Sequence, residues 1–237
     1  MNLFSNSRYE LSMSEISKEL GLGISTTYRL LGTLKYKNYI EQNPQNLKYK
    51  LGYAFLNKAF LVSNDELNII KKSMPYLEKL RDFTKESISL AVLDVRNIVY
   101  IAKADSHEIL RTNIEIGKKF PAYKTALGKI LLAHLSPEQF NRLFDKDKFL
   151  ISNPGFNLNI SEFKQYLGKV RKEGIAFDDE EATPGIRCIA APIRDIDGEV
   201  SIAISISGPT LRFTLEKIDL WKRELVKVAR KISFKSV

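Results

Sequence analysis

The segment from Ser14 to Gly21, SEISKELG, sets Ile16 and Leu20 four apart on one side and leaves Glu15, Lys18 and Glu19 on the other. That spacing predicts a short amphipathic helix, with Ser14 as its N-cap and Gly21 as its left-handed stop. A second helical run opens at Ser25, STTYRLLGTLKYKNYI, with Leu30, Leu31 and Leu34 as its apolar stripe. Lys35 and Lys37 fall near its C-terminal end, where cations suit the helix dipole. The intervening GLGI has the length and glycine content of a helix-turn-helix turn. The period then changes. Tyr39 and Ile40 lead into polar residues, NPQN supplies a proline turn, and Leu47, Tyr49 and Leu51 alternate with Lys48 and Lys50. Period two over so short a span predicts a hairpin whose second strand carries both lysines on one face. Two helices followed by a basic hairpin describe a winged helix.

GYAFLNKAFLV, residues 52–62, is apolar on most sides and predicts a helix buried against another chain or domain. SNDEL reads as a polar joint with Asn64 or Asp65 as cap. A long amphipathic helix follows to about Lys85, with Ile69, Ile70, Leu77 and Leu80 inward. The domain boundary is expected near Ser63. Beyond it, SISLAVLDV and IVYIAKAD predict adjacent antiparallel strands around a turn at Arg96–Asn97. Helices are expected over 124–135, over PEQFNRLF, over about 161–173 and over about 215–232. GIAFDD, GIRCIAAPIRD and EVSIAISISG supply three more strands, with a tight turn at Asp195–Asp197–Gly198. The pattern predicts an α+β domain on a mainly antiparallel sheet.

Composition narrows the function class. Hydrophobic residues are 44% of the 237, which excludes a mostly disordered chain. No apolar run approaches the roughly 20 residues needed to span a bilayer. MNLFSNSRYE lacks the basic start and apolar core of a secretory signal, and the single cysteine suits a reducing compartment. A cytoplasmic protein is expected, with no membrane partner. The net charge is +9 and uneven, with +4 inside residues 1–60. A denser positive field there suits a polyanion, because Lys and Arg displace the counterions condensed on phosphate.

The N-terminal segment carries the matching chemistry. A recognition helix needs small hydroxylated residues at its start, which Ser25, Thr26 and Thr27 supply together with amides free for a phosphate. Thr26 and Tyr28 are expected toward the major groove. Arg29 reads either as a base contact or as a structural or phosphate-anchoring residue. Lys48 and Lys50 on the wing would meet phosphate, positioning without specifying. The bland alternative is a helical hairpin with a solvated basic strand.

The whole chain resembles the IclR family of bacterial regulators. The likeness runs through the winged helix, KTALGKILLAHLSPEQ, GIAFDDEEATPGIRCIAAPIRDIDGEVSIAISISGP and the R-x-T at Arg212–Thr214. It implies a winged helix-turn-helix over 1–51, a linker helix for dimerisation over 52–63 and a GAF-like effector domain over 64–237. It also implies a homodimer or a dimer of dimers. Two departures stand out. A full helix precedes the helix-turn-helix in the family, whereas Asn2-Leu3-Phe4 resemble its last turn, so either the start is late or the domain leans on a dimer partner. Ile24 stands where the family usually has a lysine.

A sensor pocket needs an apolar lining and a few converging polar groups. The amides of Thr125, Ala126 and Leu127 open a helix, where a carboxylate is stabilised, and Ser205 and Ser207 share one strand face. The resemblance maps the effector pocket onto Ile109, Thr112, Phe120, Ala126, Leu127, Asp178, Cys188, Ser205 and Ser207. A small organic acid is the expected ligand, with Asp178 accepting from a ligand hydroxyl. Leu127 is bulkier than the usual family residue and predicts a tighter cavity. Taken alone, Cys188 reads as a small buried residue, the acidic run 178–181 as a solvated loop, and the serines as an outer strand face. An enzyme is not expected. His107 and His134 are the sole histidines, neither beside Cys188 in sequence, and no phosphate loop, nucleophile elbow or metal-ligand spacing occurs. No cofactor or metal is called for. The rival is a ligand-binding or dimerisation module that has lost specific DNA binding. In the regulator, the 52–62 helix would convert a ligand-induced population shift into altered spacing of two recognition helices.

Overall fold

The computed structural model describes residues 3–4, 8–52, 54, 64–144, 151–153 and 156–233. The helix expected over 52–62 lies outside these, apart from Gly52 and Ala54. The chain divides into two compact units, Met1–Asn68 and Ile69–Val237.

In the first unit, helix α1 spans Met13–Leu20 and α2 spans Ile24–Tyr36. The N-cap of α1 is Ser12, not Ser14. Ser12 and Glu15 form a reciprocal capping box, which Ser14 cannot offer because it lies inside the first turn. Gly21 ends α1 at φ 64°, as expected. Helix α2 opens one residue before Ser25 and stops at Tyr36. Its inward stripe is Thr27, Leu31 and Leu34, while Leu30 is exposed. The Thr27 hydroxyl makes its burial tolerable by donating to the Gly23 carbonyl at 3.0 Å. Strands β1 (Ile40–Gln42) and β2 (Tyr49–Leu51) pair antiparallel, and Leu11 adds a bridge to Tyr49. Tyr49 alone of the three expected apolar positions on the second strand is buried. Leu47 sits in the turn at φ 57° and is exposed, as is Leu51. Leu11, Ile16, Leu31, Ile40 and Tyr49 form the core, with Leu3, Phe4, Met13 and Leu34 packed against it.

Helix α3 (Asn64–Thr84) leads into the second unit. There a six-stranded sheet has the order β5-β4-β3-β10-β9-β8. The strands are β3 (Ser87–Asp94), β4 (Asn97–Ala104), β5 (Lys119–Pro121), β8 (Ala176–Asp179), β9 (Ile186–Ile193) and β10 (Ile202–Pro209). Every pairing is antiparallel. Helices α4 (Ala126–Ala133), α5 (Pro137–Leu143), α6 (Ile160–Glu173) and α7 (Leu215–Ile232) complete it, with a small hairpin of β6 (Ile151–Asn153) and β7 (Phe156–Leu158). Periodicity does not reveal β5 or this hairpin, because three residues are too few to set up a pattern. The β3–β4 turn is Val95–Arg96, because Asn97 already pairs with Asp94.

The sheet has two unlike faces. Ile88, Leu90, Ile189, Ile193, Ile202, Ile204 and Ile206 form one core with Leu77 and Leu80 of α3 and Ile218, Trp221, Leu225 and Ala229 of α7. Ala91, Cys188, Ala190 and Ala203 face the other way, onto α4, α5 and α6. A register shift between Leu90 and Ala91 inserts Ile101 as an extra residue in β4. Tyr100 and Ile98 therefore join the second core, while Ala102 and Ala104 join the first.

Candidate functional site

The first unit presents the start of α2. Ser25, Thr26, Tyr28 and Arg29 are all exposed, whereas Thr27 is buried. The Thr27 amide also bonds to the Gly23 carbonyl at 2.9 Å, so the amides left open by helix geometry are those of Ile24, Ser25 and Thr26. Gly23 has no side chain to cap them. Arg29 has no ion-pair partner among the described residues, which leaves its guanidinium free for an external anion. On the hairpin, Lys48 is half-buried, and Lys50 lies 3.5 Å from Glu41 in a solvent-exposed pair of small energetic weight.

The second unit contains a cavity of about 330 Å³ on the small-residue face of the sheet. Tyr100, Phe120, Asp178, Ile186, Cys188 and Ser207 line it from the strands, and Thr125 and Leu127 from the start of α4. Residues Arg111–Ile114 and Lys118 come from the β4–β5 connection, and Ala182 and Thr183 from the β8–β9 turn. Six of the nine residues that the resemblance mapped to the pocket lie in this wall: Thr112, Phe120, Leu127, Asp178, Cys188 and Ser207. The other three do not. Ile109 is 99% exposed and points to solvent; Ala126 and Ser205 are buried behind the lining. Ser205 and Ser207 are on the inner face of their strand, not its outer one. The Ser207 hydroxyl sits 3.3 Å from that of Thr112.

Thr125 is the N-cap of α4, and its side chain accepts from the Gly128 amide at 3.0 Å. The Thr125 amide itself bonds to the Ala122 carbonyl, so it is not among the open donors; Ala126 and Leu127 are the first two residues of the helix proper. The helix start is pressed onto the preceding turn. A Cβ at position 128 would fall 2.1 Å from the Ala122 carbonyl oxygen, so only glycine fits.

The acidic run 178–181 is not a solvated loop. Asp178 Oδ1 accepts from the amides of Glu181 (2.8 Å) and Ala182 (3.3 Å). Asp179 pairs with Arg187, Glu180 accepts from the Gly185 amide, and Glu181 pairs with Lys129. Lys129 is fully buried, also donates to the Phe177 carbonyl at 3.0 Å and lies over the Tyr166 ring. Burial raises the Asp178 carboxyl to about 6, against the pull of the Lys129 charge. Burial likewise pushes the Cys188 thiol and the Tyr100 phenol well above their ordinary values, leaving both neutral. A neutral, enclosed thiol is no nucleophile.

Sequence reasoning missed Lys129, Tyr100 and the cations Arg111 and Lys118. It also missed a clamp on the β4–β5 connection. Arg212 grips the buried Glu86 through two bonds (2.7 and 2.9 Å) and donates to the Leu110 carbonyl at 2.7 Å. The R-x-T motif was the available signal, without its partner. His134 is half-buried against the Ile130 carbonyl and His107 is exposed near Asp82; neither lines the cavity. Among the described residues, no cluster of His, Cys, Asp or Glu has the arrangement to hold a metal, and no helix is long and apolar enough to cross a membrane.

Comparison with known proteins agrees with this division. Residues 1–44 match the IclR helix-turn-helix domain and residues 62–234 match the bacterial transcriptional regulator IclR C-terminal domain. The chain is 34% identical to the Escherichia coli transcriptional regulator KdgR over 94% of its length and 85% of that protein's. It is 33% identical to the E. coli regulator XynR, covering 90% and 84% of the two chains. The crystal structure of a transcriptional regulator from Rhodococcus sp. RHA1 superposes with a TM-score of 0.77 at 28% identity, over 98% of this chain and 92% of that one. With both halves matched and the cavity and recognition helix in place, this chain belongs to the IclR family of DNA-binding, effector-controlled transcriptional regulators.

Proposed function

We propose that the chain binds duplex DNA through the start of α2 and the wing, and that a small organic acid in the sheet cavity changes this binding. The observation that carries the reading is that one unit has an uncapped, exposed helix start and the other a cavity lined by apolar and polar groups. In this reading residues 1–51 are the winged helix, 52–63 the linker and 64–237 the effector domain. The protein acts in the cytoplasm as a homodimer or dimer of dimers and has no catalytic activity. Ser25 and the open amides meet phosphate, Thr26 and Tyr28 face the major groove, Arg29 reaches a base edge, and Lys48 and Lys50 anchor the backbone.

Inside the cavity, the α4 start supplies partial positive charge for a carboxylate, and Thr112 and Ser207 supply hydroxyls. Arg111 and Lys118 add formal positive charge to the wall, which further suits an acid. Phe120 and Leu127 pack on its carbon. Asp178 has one oxygen committed to backbone amides, which leaves the other to accept from a ligand hydroxyl. The small volume and the bulky Leu127 suit a compact acid.

The test is fluorescence anisotropy with duplex DNA from upstream of the protein's own gene. Tyr28→Ala and Arg29→Ala should each weaken specific binding by about 1–3 kcal/mol, roughly 5- to 150-fold. An acid detected in the cavity by calorimetry should shift DNA affinity, and the DNA should shift acid affinity by the same factor. DNA binding indifferent to both substitutions sinks the interface. An acid that binds without altering DNA affinity sinks the coupling.

A further inference from the structure

Glu10 is not among the residues proposed to touch DNA, yet it is tied to the wing. The next residue, Leu11, exchanges both backbone hydrogen bonds with Tyr49 of β2, at 2.9 and 2.7 Å, which lays Glu10 against the hairpin. Its two carboxylate oxygens are divided between two asparagines of the turn. Oε1 accepts from Asn43 Nδ2 at 3.2 Å and Oε2 accepts from Asn46 Nδ2 at 2.8 Å. Each asparagine turns its own oxygen back into the turn: Asn43 Oδ1 accepts from the Gln45 amide and Asn46 Oδ1 from the Lys48 amide, both at 2.9 Å. One carboxylate therefore orients both side-chain caps of the wing. From the recognition helix, Lys35 donates to Gln42, and Gln42 donates to the Leu47 carbonyl, both at 3.1 Å. The turn is braced from two sides.

Charge argues the other way. Glu10 stays ionised, because hydrogen bonds from the two asparagines and the nearby Lys50 and Lys48 hold its carboxyl below the usual range. A negative charge beside the two wing lysines weakens attraction to a polyanion. The charge of Glu10 opposes binding, so any contribution it makes to binding comes through the geometry of the turn. We infer that Glu10 is a positioning residue for DNA binding: it fixes the turn from Asn43 to Lys48 so that Lys48 and Lys50 reach phosphate while α2 sits in the groove. This rests on the wing contacts proposed above.

Two expectations of opposite sign make the inference testable. Full-length protein is titrated against a fluorescein-labelled random duplex of ~30 base pairs over a salt series. Glu10→Gln removes one negative charge and leaves an oxygen for one asparagine alone. Charge by itself predicts tighter binding with an unchanged salt slope. Positioning predicts several-fold weaker binding and a slope shallower by roughly 0.9 for each phosphate no longer neutralised, as in Lys48→Ala/Lys50→Ala. Glu10→Gln added to that pair should flatten the slope no further and should not weaken binding again. Asn46→Asp added to Glu10→Gln restores the net charge and lets the glutamine amide donate to the new carboxylate; affinity and slope should return. Tighter binding by Glu10→Gln, an unchanged slope, or no recovery overturns the inference. If the lysine pair itself leaves the slope unchanged, the wing contacts are wrong; if the lysine pair flattens it and Glu10→Gln does not, Glu10 alone is misassigned.

Discussion

Ile202, Ile204 and Ile206 alternate along β10 with Ala203, Ser205 and Ser207, so one strand serves two surfaces of different chemistry. On the isoleucine side the sheet meets α3 and α7 through branched aliphatic and aromatic side chains that are almost wholly buried. On the serine side small residues leave room, and the space under α4 becomes the cavity. The stability of the effector domain and its capacity to recognise a ligand thus lie back to back, separated by the thickness of one backbone. The isoleucine side is built from apolar side chains, whereas the cavity side holds a buried lysine, the buried carboxylate of Asp178, the largely buried Glu181 and a thiol.

The largest expected effect breaks the polar side. Lys129→Met leaves Glu181 buried without its cation and should cost about 3–5 kcal/mol in urea unfolding. Adding Glu181→Leu should recover much of that. If the single substitution costs under about 1 kcal/mol, the pair is not what holds the β8–β9 turn. Next comes the direct contrast between neighbours. Ile204→Ala should cost about 2–5 kcal/mol through reduced burial and the cavity left behind. Ser205→Ala should cost about 1 kcal/mol, the net worth of its side-chain hydrogen bond with Cys188. Equal losses would mean that the two faces are not divided as described.

The third effect is on pH. Burial raises Asp178 from its ordinary 3.8 to about 6 in the folded protein. The folded state therefore binds this proton more tightly than the unfolded chain. Its stabilising share is full below about pH 4 and is lost as the pH rises to about 6, a span worth on the order of 3 kcal/mol. Asp178→Asn removes that fall while its amide oxygen still caps the turn. Urea midpoints should show wild type losing ground to the variant between those two pH values; a constant difference would deny the burial effect.

Much of this architecture was readable from periodicity. Helix α7 runs over Leu215–Ile232 as expected because its apolar stripe persists over five turns, and β3, β4, β9 and β10 announce themselves by alternation. The pocket was partly legible: Asp178, Cys188 and Ser207 line one face because strand geometry puts them there. Ile109 was misplaced because likeness of sequence carried it, and a loop residue is not fixed by any period. The Lys129–Glu181 pair spans 52 residues, and a lysine inside KTALGKILLAHL gives no local sign that it turns inward. The Glu10–Asn43–Asn46 bracket was invisible for the same reason.

The inserted residue at Ile101 has a larger reach than its size. Ile98, Tyr100, Ala102 and Ala104 read as one uninterrupted every-other-residue series, and a regular strand would send all four to the same side. The irregularity changes the parity midway, turning the first two toward the ligand space and the last two toward α3 and α7. Deleting Ile101 would make the ladder regular with Tyr100 still opposite Ala91, so the tyrosine should keep its place, whereas absorbing the extra residue anywhere between Tyr100 and Asn97 would turn Tyr100 to the other side. The aromatic wall of the sensor thus depends on where the strand takes up its one surplus residue, between Tyr100 and Ala102.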